Sequence, residues 1–172
     1  MADLFEGDAA YAIRLGKQAF TFSAAHFITY AGDTCEPLHG HNYRVAIEAE
    51  APLDANHYVL DFIATRDTLA GIVRRLDHRM LLPTEHRTIR VQKSVGPTGG
   101  HEVVVTHGDR RWVFPAEDCV LLPVPNTTAE KLAEWIGKTL LQALEQNDAP
   151  RPARLTVEVD ECEGQIGRCR LG

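Results

Sequence analysis

The sequence has few cysteines and no CxxC pair. The four cysteines, Cys35, Cys119, Cys162 and Cys169, lie mostly far apart in the chain. A disulfide framework in a small protein requires many cysteines at short, regular spacings. The spacing therefore predicts reduced thiols, with Cys162 and Cys169 as the one pair that a disulfide would join.

Positive charge is also scarce. The 172 residues include 18 Lys and Arg against 24 Asp and Glu, which gives a formal net charge of −6. This balance argues against nucleic acid or an anionic membrane surface as the main partner. Residues 1–8 lack the basic and apolar regions of a secretory signal, and no later run is long enough to span a bilayer. We therefore expect a cytoplasmic protein without a membrane partner.

The most informative stretch contains His39 and His41, separated by one glycine. Residues 42–48 then alternate polar and apolar side chains, as a half-buried strand does. Side chains alternate between the two faces of a strand, so His39 and His41 project from the same face. Residues 20–26 show the same alternation and end on His26. A hairpin between the two strands brings the third imidazole to the same point.

Three converging imidazoles predict a metal centre. Three histidines leave a tetrahedral zinc ion one open position, which is the arrangement of a catalytic site. The ligand type favours zinc, although imidazole also suits iron, nickel and copper. Two other interpretations stay open: unrelated histidines in a polar loop, and a closed structural site with Cys35 as the fourth ligand. The length disfavours an amidohydrolase barrel of about 250 residues, and the distance from His41 to Glu48 disfavours a cupin.

Five motifs resemble those of a known family. In chain order they are Phe22-x-Ala24-Ala25-His26, Cys35-x-x-x-His39-Gly40-His41, Leu76-Asp77-His78, Thr128-Ala129-Glu130 and Val159-Asp160-Glu161. Over residues 15–83 and 124–169 the chain resembles the 6-pyruvoyl tetrahydropterin synthase and 6-carboxytetrahydropterin synthase family. The resemblance implies an α+β tunnelling fold (T-fold): an antiparallel β-sheet with two helices on one face. Such chains assemble through trimers into an oligomeric barrel, usually a homohexamer.

The segment at about 84–122 lies outside this resemblance. Its short β-prone runs, separated by turn residues, predict an inserted β-meander whose role as a lid or an oligomer contact stays open. Helical spacing follows residue 62, and a capping box formed by Thr127 and Glu130 predicts the start of a second helix. With 44% hydrophobic and 24% charged residues, we expect residues 1–172 to form a single domain.

The resemblance also implies roles for five residues besides the metal ligands. Cys35 is the catalytic base, Asp77 and His78 of a neighbouring subunit assist proton transfer, and Glu161 and Thr128 bind the pterin. The residues alone allow simpler interpretations. Asp77 and His78 also suit the solvated end of a helix, and Glu161, which continues an apolar stripe, also suits a salt bridge to an arginine.

Glu36 leaves the reaction open, because it adds a Glu-x-x-His-Gly-His motif to the cysteine motif. The cysteine version resembles synthases acting on dihydroneopterin triphosphate; the glutamate version resembles enzymes that cleave the dihydroneopterin side chain. A solvated loop carboxylate is the simpler interpretation of Glu36. The resemblance implies a zinc-dependent 6-carboxy-5,6,7,8-tetrahydropterin synthase of queuosine biosynthesis. The alternatives are 6-pyruvoyl tetrahydropterin synthase, a side-chain lyase, or a non-catalytic oligomer that binds a pterin or purine and uses zinc for structure.

Overall fold

The computed structural model describes residues 10–172, which form twelve strands and two α-helices. The expectation about the acidic N-terminus concerns residues outside this range. The strands are β1 (Ala12–Leu15), β2 (Thr21–His26), β3 (Thr29–Tyr30), β4 (Thr34–Cys35), β5 (His39–Glu50), β6 (Arg79–Pro83), β7 (Arg90–Val95), β8 (His101–His107), β9 (Arg110–Pro115), β10 (Cys119–Leu122), β11 (Arg154–Cys162) and β12 (Gln165–Leu171). The helices are α1 (Phe62–Arg74) and α2 (Ala129–Gln146).

The main sheet has the strand order β10-β6-β2-β5-β11-β12, and β1 also pairs with β5. β5 is antiparallel to β1, β2 and β11, but β6 is parallel to both β2 and β10. The expectation of an antiparallel sheet was therefore wrong, because the sheet is mixed. The chain passes from β2 to β6 through β5, residues 51–61 and α1, and a crossover of this length permits the parallel direction. Side-chain alternation carries no information about that direction.

Both helices pack on one face of this sheet. The buried residues of α1 (Thr65, Leu69, Ile72 and Val73) and of α2 (among them Leu132, Ile136, Leu140 and Leu144) face the inward side chains of β2, β5 and β11 in a single core cluster. Burying each large side chain contributes roughly 1.5–3 kcal/mol. Gly167 of β12 allows the start of α2 to approach closely, because a Cβ there would lie 2.6 Å from the carbonyl carbon of Ala129.

The first turn of α2 begins one residue later than the capping-box pattern predicted. Thr128 is the N-cap, and its hydroxyl accepts a hydrogen bond from the Lys131 amide at 3.4 Å. Thr127 is fully buried, and its hydroxyl donates to the carbonyl oxygen of Phe27. The predicted Thr127 and Glu130 capping box is therefore wrong, because Thr127 is bonded to the chain beyond β2 instead.

The segment between the two matching regions contains its own sheet. Strands β7, β8 and β9 form a three-stranded antiparallel meander, whereas β10 joins the main sheet beside β6. A second core cluster, made of Phe27, Met80, Leu82, Ile89, Val103 and Val105, lies between the meander and the main sheet. The meander is thus packed against the strand that carries His26.

The four cysteines are free thiols in this structure, so Cys162 and Cys169 are not joined. Neither α1 nor α2, the helices of residues 10–172, has the length and apolar character needed to cross a membrane.

Candidate metal centre and active site

Three histidines converge where β2 pairs with β5. His26 lies opposite His39 in the antiparallel register, and His41 lies opposite Ala24, so all three side chains project from one face. One ligand nitrogen from each ring lies within 4.8 Å of the other two. His26 is buried, and His39 and His41 are partly exposed, so the cluster opens toward solvent on one side. The strand periodicity that predicted this convergence also accounts for it.

Two of the rings are oriented by hydrogen bonds to main-chain oxygens. Nδ1 of His26 lies 3.0 Å from the carbonyl oxygen of Thr127, and Nδ1 of His39 lies 2.9 Å from that of Pro37. A carbonyl oxygen only accepts, so each Nδ1 carries the proton and each Nε2 keeps a free lone pair. Metal-binding histidines are usually oriented in this way. The donor set therefore suits a zinc ion bound by one nitrogen from each of the three rings.

Glu161 lies at the edge of this cluster. Its Oε1 is 3.1 Å from Nε2 of His26, 3.5 Å from Nε2 of His41 and 3.3 Å from the hydroxyl of Tyr43. The register of β11 with β12 shifts just after Asp160, so Glu161 stands at a bulge, where strands commonly redirect a side chain. The His26 ring beside it is the main cause of the lowered pKa of Glu161, against the effect of burial. In residues 10–172 its partners are imidazoles and a phenol, not the arginine of the simpler interpretation.

Tyr43 continues the inward face of β5 two residues beyond His41. Its ring is fully buried and stacks on Phe22 at 4.6 Å between centroids. Burial raises the pKa of its hydroxyl, so Tyr43 keeps its proton and donates to Glu161. The sequence analysis treated Tyr43 only as a strand residue. Its position in phase with the two histidines is the signal that identifies it as part of the site.

The two candidate bases point to different surroundings. The thiol of Cys35 lies 3.5 Å from the Glu36 carbonyl oxygen, and its side chain packs against the second core cluster. Burial raises the pKa of the Cys35 thiol, and the nearby positive charge of Arg110 opposes that rise. The Glu36 carboxylate instead lies 3.8 Å from Nε2 of His39. Of the two side chains, that of Glu36 therefore lies beside a nitrogen of the candidate metal centre.

Asp77 and His78 follow α1 and are bound to β2 through Ser23. The Ser23 amide donates to Oδ1 of Asp77 at 2.8 Å, and the His78 amide donates to the Ser23 carbonyl oxygen at 2.6 Å. The second Asp77 oxygen lies 3.0 Å from Nδ1 of His78, whose side chain is 81% exposed. The hydrogen bond from Ser23 is the main cause of the lowered pKa of Asp77.

This pair borders a groove of about 820 Å³, with Ser23, Asn42 and Arg44 on the sheet face that the helices leave open. Within residues 10–172 no hydrogen bond or ion pair joins Asp77 or His78 to Cys35 or to the three histidines. His78 and His41 line the rim of one shallow cleft. Thr128, the remaining predicted site residue, caps α2 and directly follows the carbonyl group that holds His26.

The fold and the site together define a candidate metal-dependent enzyme of the α+β class. A sequence model of the 6-pyruvoyl tetrahydropterin synthase family matches residues 15–170. The chain therefore belongs to this family, which confirms the resemblance carried by the five motifs.

Two curated relatives and a solved structure agree with this assignment. A Pyrococcus horikoshii protein named "Putative 6-carboxy-5,6,7,8-tetrahydropterin synthase" is 32% identical over 123 residues, which cover 70% of this chain and 69% of the relative. A Methanocaldococcus jannaschii protein of the same name is 28% identical over 149 residues, covering 86% and 87%.

The solved structure is a Plasmodium vivax 6-pyruvoyltetrahydropterin synthase in which a catalytic glutamate is replaced by alanine. It superposes with a TM-score of 0.82 at 24% identity, covering 96% of this chain and 99% of that one. At this identity the similarity establishes the shared fold.

Proposed function

We propose that this protein is a zinc-dependent 6-carboxy-5,6,7,8-tetrahydropterin synthase. It would convert 7,8-dihydroneopterin triphosphate and water to 6-carboxytetrahydropterin, with release of acetaldehyde and triphosphate, on the route to queuosine. The observation that carries the proposal is the cluster of three histidine nitrogens, one from each ring, with the Glu161 carboxylate beside it. The names of the two archaeal relatives support the choice of product.

Glu161 and Thr128 are the proposed pterin-binding residues. The pKa of Glu161 is lowered rather than raised by its surroundings, so it stays a carboxylate at neutral pH, and a carboxylate accepts hydrogen bonds from two adjacent N–H groups in one plane. The amino group and ring N–H of a pterin present such a pair. Thr128 lies at the start of α2, where helix amides and the helix dipole favour polar groups.

His26, His39 and His41 would hold the zinc ion, whose charge makes nearby alcohol groups easier to deprotonate. Cys35 is the proposed base that removes a carbon-bound proton from the substrate side chain. Asp77 and His78 would relay protons from a neighbouring subunit, because their own chain places them on the open face of the sheet. This arrangement requires an assembly of chains, for which we propose the trimer-based homohexameric barrel of the family.

A second candidate function follows from Glu36. Its carboxylate lies 3.8 Å from Nε2 of His39, and the Plasmodium vivax structure is described as having a catalytic glutamate. With Glu36 as the base, the protein would cleave the dihydroneopterin side chain and leave a 6-hydroxymethyl group on the pterin. A third candidate function is that of a 6-pyruvoyl tetrahydropterin synthase, which forms a 6-pyruvoyl product and releases triphosphate.

Product identification tests these functions directly. Zinc-loaded protein is incubated without oxygen with 7,8-dihydroneopterin triphosphate and, separately, with 7,8-dihydroneopterin, and the products are identified by mass spectrometry. We expect 6-carboxytetrahydropterin and acetaldehyde from the triphosphate. A 6-pyruvoyl product would contradict this, as would a 6-hydroxymethyl product from dihydroneopterin alone. Tight pterin binding without turnover would favour the zinc-structured binding oligomer. The cytoplasmic location stays a prediction.

A further inference from the structure

The inserted meander reaches the loop that carries both candidate bases. Nη1 of Arg110, on β9, donates to the main-chain oxygens of Cys35 at 2.9 Å and Glu36 at 3.1 Å. Hydrogen bonds from a charged guanidinium are stronger and more directional than those between neutral groups. One side chain of the insertion therefore binds both residues at their peptide groups.

The guanidinium is itself held in place from the other side. It lies over the ring of Trp112, 4.6 Å from the ring centroid, and Trp112 stacks on Phe27 at 4.6 Å between centroids. Phe27 is fully buried and directly follows His26. Arg110 is thus fixed between the base-carrying loop and the strand that supplies a metal ligand.

A second set of contacts holds the same loop two residues earlier. The Asp33 carboxylate accepts a hydrogen bond from the Thr88 hydroxyl at 2.6 Å and lies 3.3 Å from Nε2 of His107. Thr88 and His107 both belong to the insertion. Contacts at residues 33, 35 and 36 leave the loop little freedom to rotate about its main chain.

We propose that Arg110 is a positioning residue for the reaction, and that the insertion serves to fix the direction of the base rather than only to cover the sheet. This inference rests on the proposed function, because it assigns Arg110 a task through Cys35 or Glu36. Misplacing a reacting group by about 1 Å costs roughly 10²-fold in rate. A side chain that fixes two successive peptide groups prevents the base from shifting by such a distance.

Kinetics of Arg110→Ala and Arg110→Lys test the proposal, with Arg111→Ala as the matched control. Arg111 is the next residue of the same strand, is exposed, and points to the opposite face. For Arg110→Ala we expect kcat to fall roughly 10- to 100-fold, with unchanged KM and zinc content. Added guanidinium chloride should restore part of kcat in Arg110→Ala and none in Arg111→Ala. Arg110→Lys keeps the charge without the planar fork, so its kcat should lie between that of Arg110→Ala and that of the unmodified protein.

Hydrogen exchange gives a readout that does not depend on turnover. Amides of residues 29–38 should exchange several-fold faster in Arg110→Ala than in Arg111→Ala, with α2 unchanged in both. Equal exchange and equal kcat in the two variants would overturn the proposal, as would a uniform rise in exchange over the whole chain. If Arg110→Ala does not fold, Arg110→Lys provides the same comparison. Absence of turnover in the unmodified protein would overturn the proposed function, while the exchange data still decide the role of Arg110.

Discussion

Nδ1 of His26 donates to the carbonyl oxygen of Thr127, although the two residues are 101 positions apart in the chain. This bond links the candidate metal centre to the start of α2. The orientation of one ring of this candidate centre therefore depends on how α2 packs on the sheet.

Replacing His26 by alanine should remove bound zinc, because two remaining histidines bind the metal far more weakly than three. We expect the zinc content after desalting, measured by mass spectrometry of the metal, to fall to near zero. His101→Ala is the control, since His101 is exposed on the meander and should leave the zinc content unchanged. Full zinc occupancy in His26→Ala would contradict the assignment of the three ligands.

Replacing Gly167 by alanine tests the link through α2. The new Cβ would lie 2.6 Å from main-chain atoms of Ala129 and Glu130, so the start of α2 must move. We expect a loss of about 1–3 kcal/mol in the free energy of unfolding, the usual effect of overpacking, together with weaker zinc binding.

The matched control is Gly71→Ala in α1, where a Cβ would meet nothing within 4 Å. This change should be neutral or raise the stability by about 0.5–1 kcal/mol. Urea unfolding and a zinc titration measure both effects, and a Gly167→Ala protein with normal zinc affinity would show that the link does not reach the metal centre.

Replacing Cys35 by alanine should abolish the reaction of dihydroneopterin triphosphate while zinc stays bound. Loss of a general base lowers the rate by roughly 10²–10⁴-fold. Glu36→Gln serves as the comparison and should retain this reaction. The opposite pattern, with Glu36→Gln inactive and Cys35→Ala active, would make Glu36 the base. Loss of zinc from Cys35→Ala would instead identify Cys35 as a fourth ligand.

Mixed assemblies test whether Asp77 and His78 act on a neighbouring chain. The variants Cys35→Ala and Asp77→Asn should each be inactive alone. After they are unfolded together and reassembled in equal amounts, about a quarter of the sites should combine an intact residue from each chain if every site lies between two subunits. Activity should then return to that fraction of the unmodified protein. No return of activity in well-assembled mixtures would place both residues in the site of their own chain.

Glu134 predicts a pH-dependent contribution of α2 to stability. Hydrogen bonds from Lys131 and Lys138 lower the pKa of Glu134 from 4.5 to about 2. When the pKa of a carboxyl group is lower in the folded than in the unfolded state, the group stabilises the protein at pH values above its unfolded-state pKa. That contribution is lost as the pH falls toward the folded-state pKa. Glu134→Gln should therefore unfold at slightly lower urea concentration than the unmodified protein at pH 7. The difference should disappear near pH 2, and a difference that is constant with pH would contradict this origin.

The convergence of the three histidines was predictable because it depends on local alternation within two strands. His26, His39 and His41 needed only the period of a strand and a hairpin. The parallel direction of β6 was not predictable in this way, since the same alternation suits either direction. The helix cap at Thr128 was missed by one residue, because Thr127 is bonded to Phe27, a partner distant in sequence.

Contacts to main-chain oxygens were the least predictable part of the site. The carbonyl groups of Thr127, Cys35 and Glu36 exist at every position and leave no signature in the residue types. The imidazole and phenol partners of Glu161 were missed for a related reason, because they come from two other strands that the β11 pattern does not reveal.

Arg110 binds residues 35 and 36 through their carbonyl oxygens and not through their side chains. Such a contact is indifferent to the identity of the residue that it holds. The Arg110 contact itself therefore places no restriction on which residue types occupy these two positions. In an evolving lineage this freedom would let one scaffold keep the same support for the loop while its preferred chemistry changes.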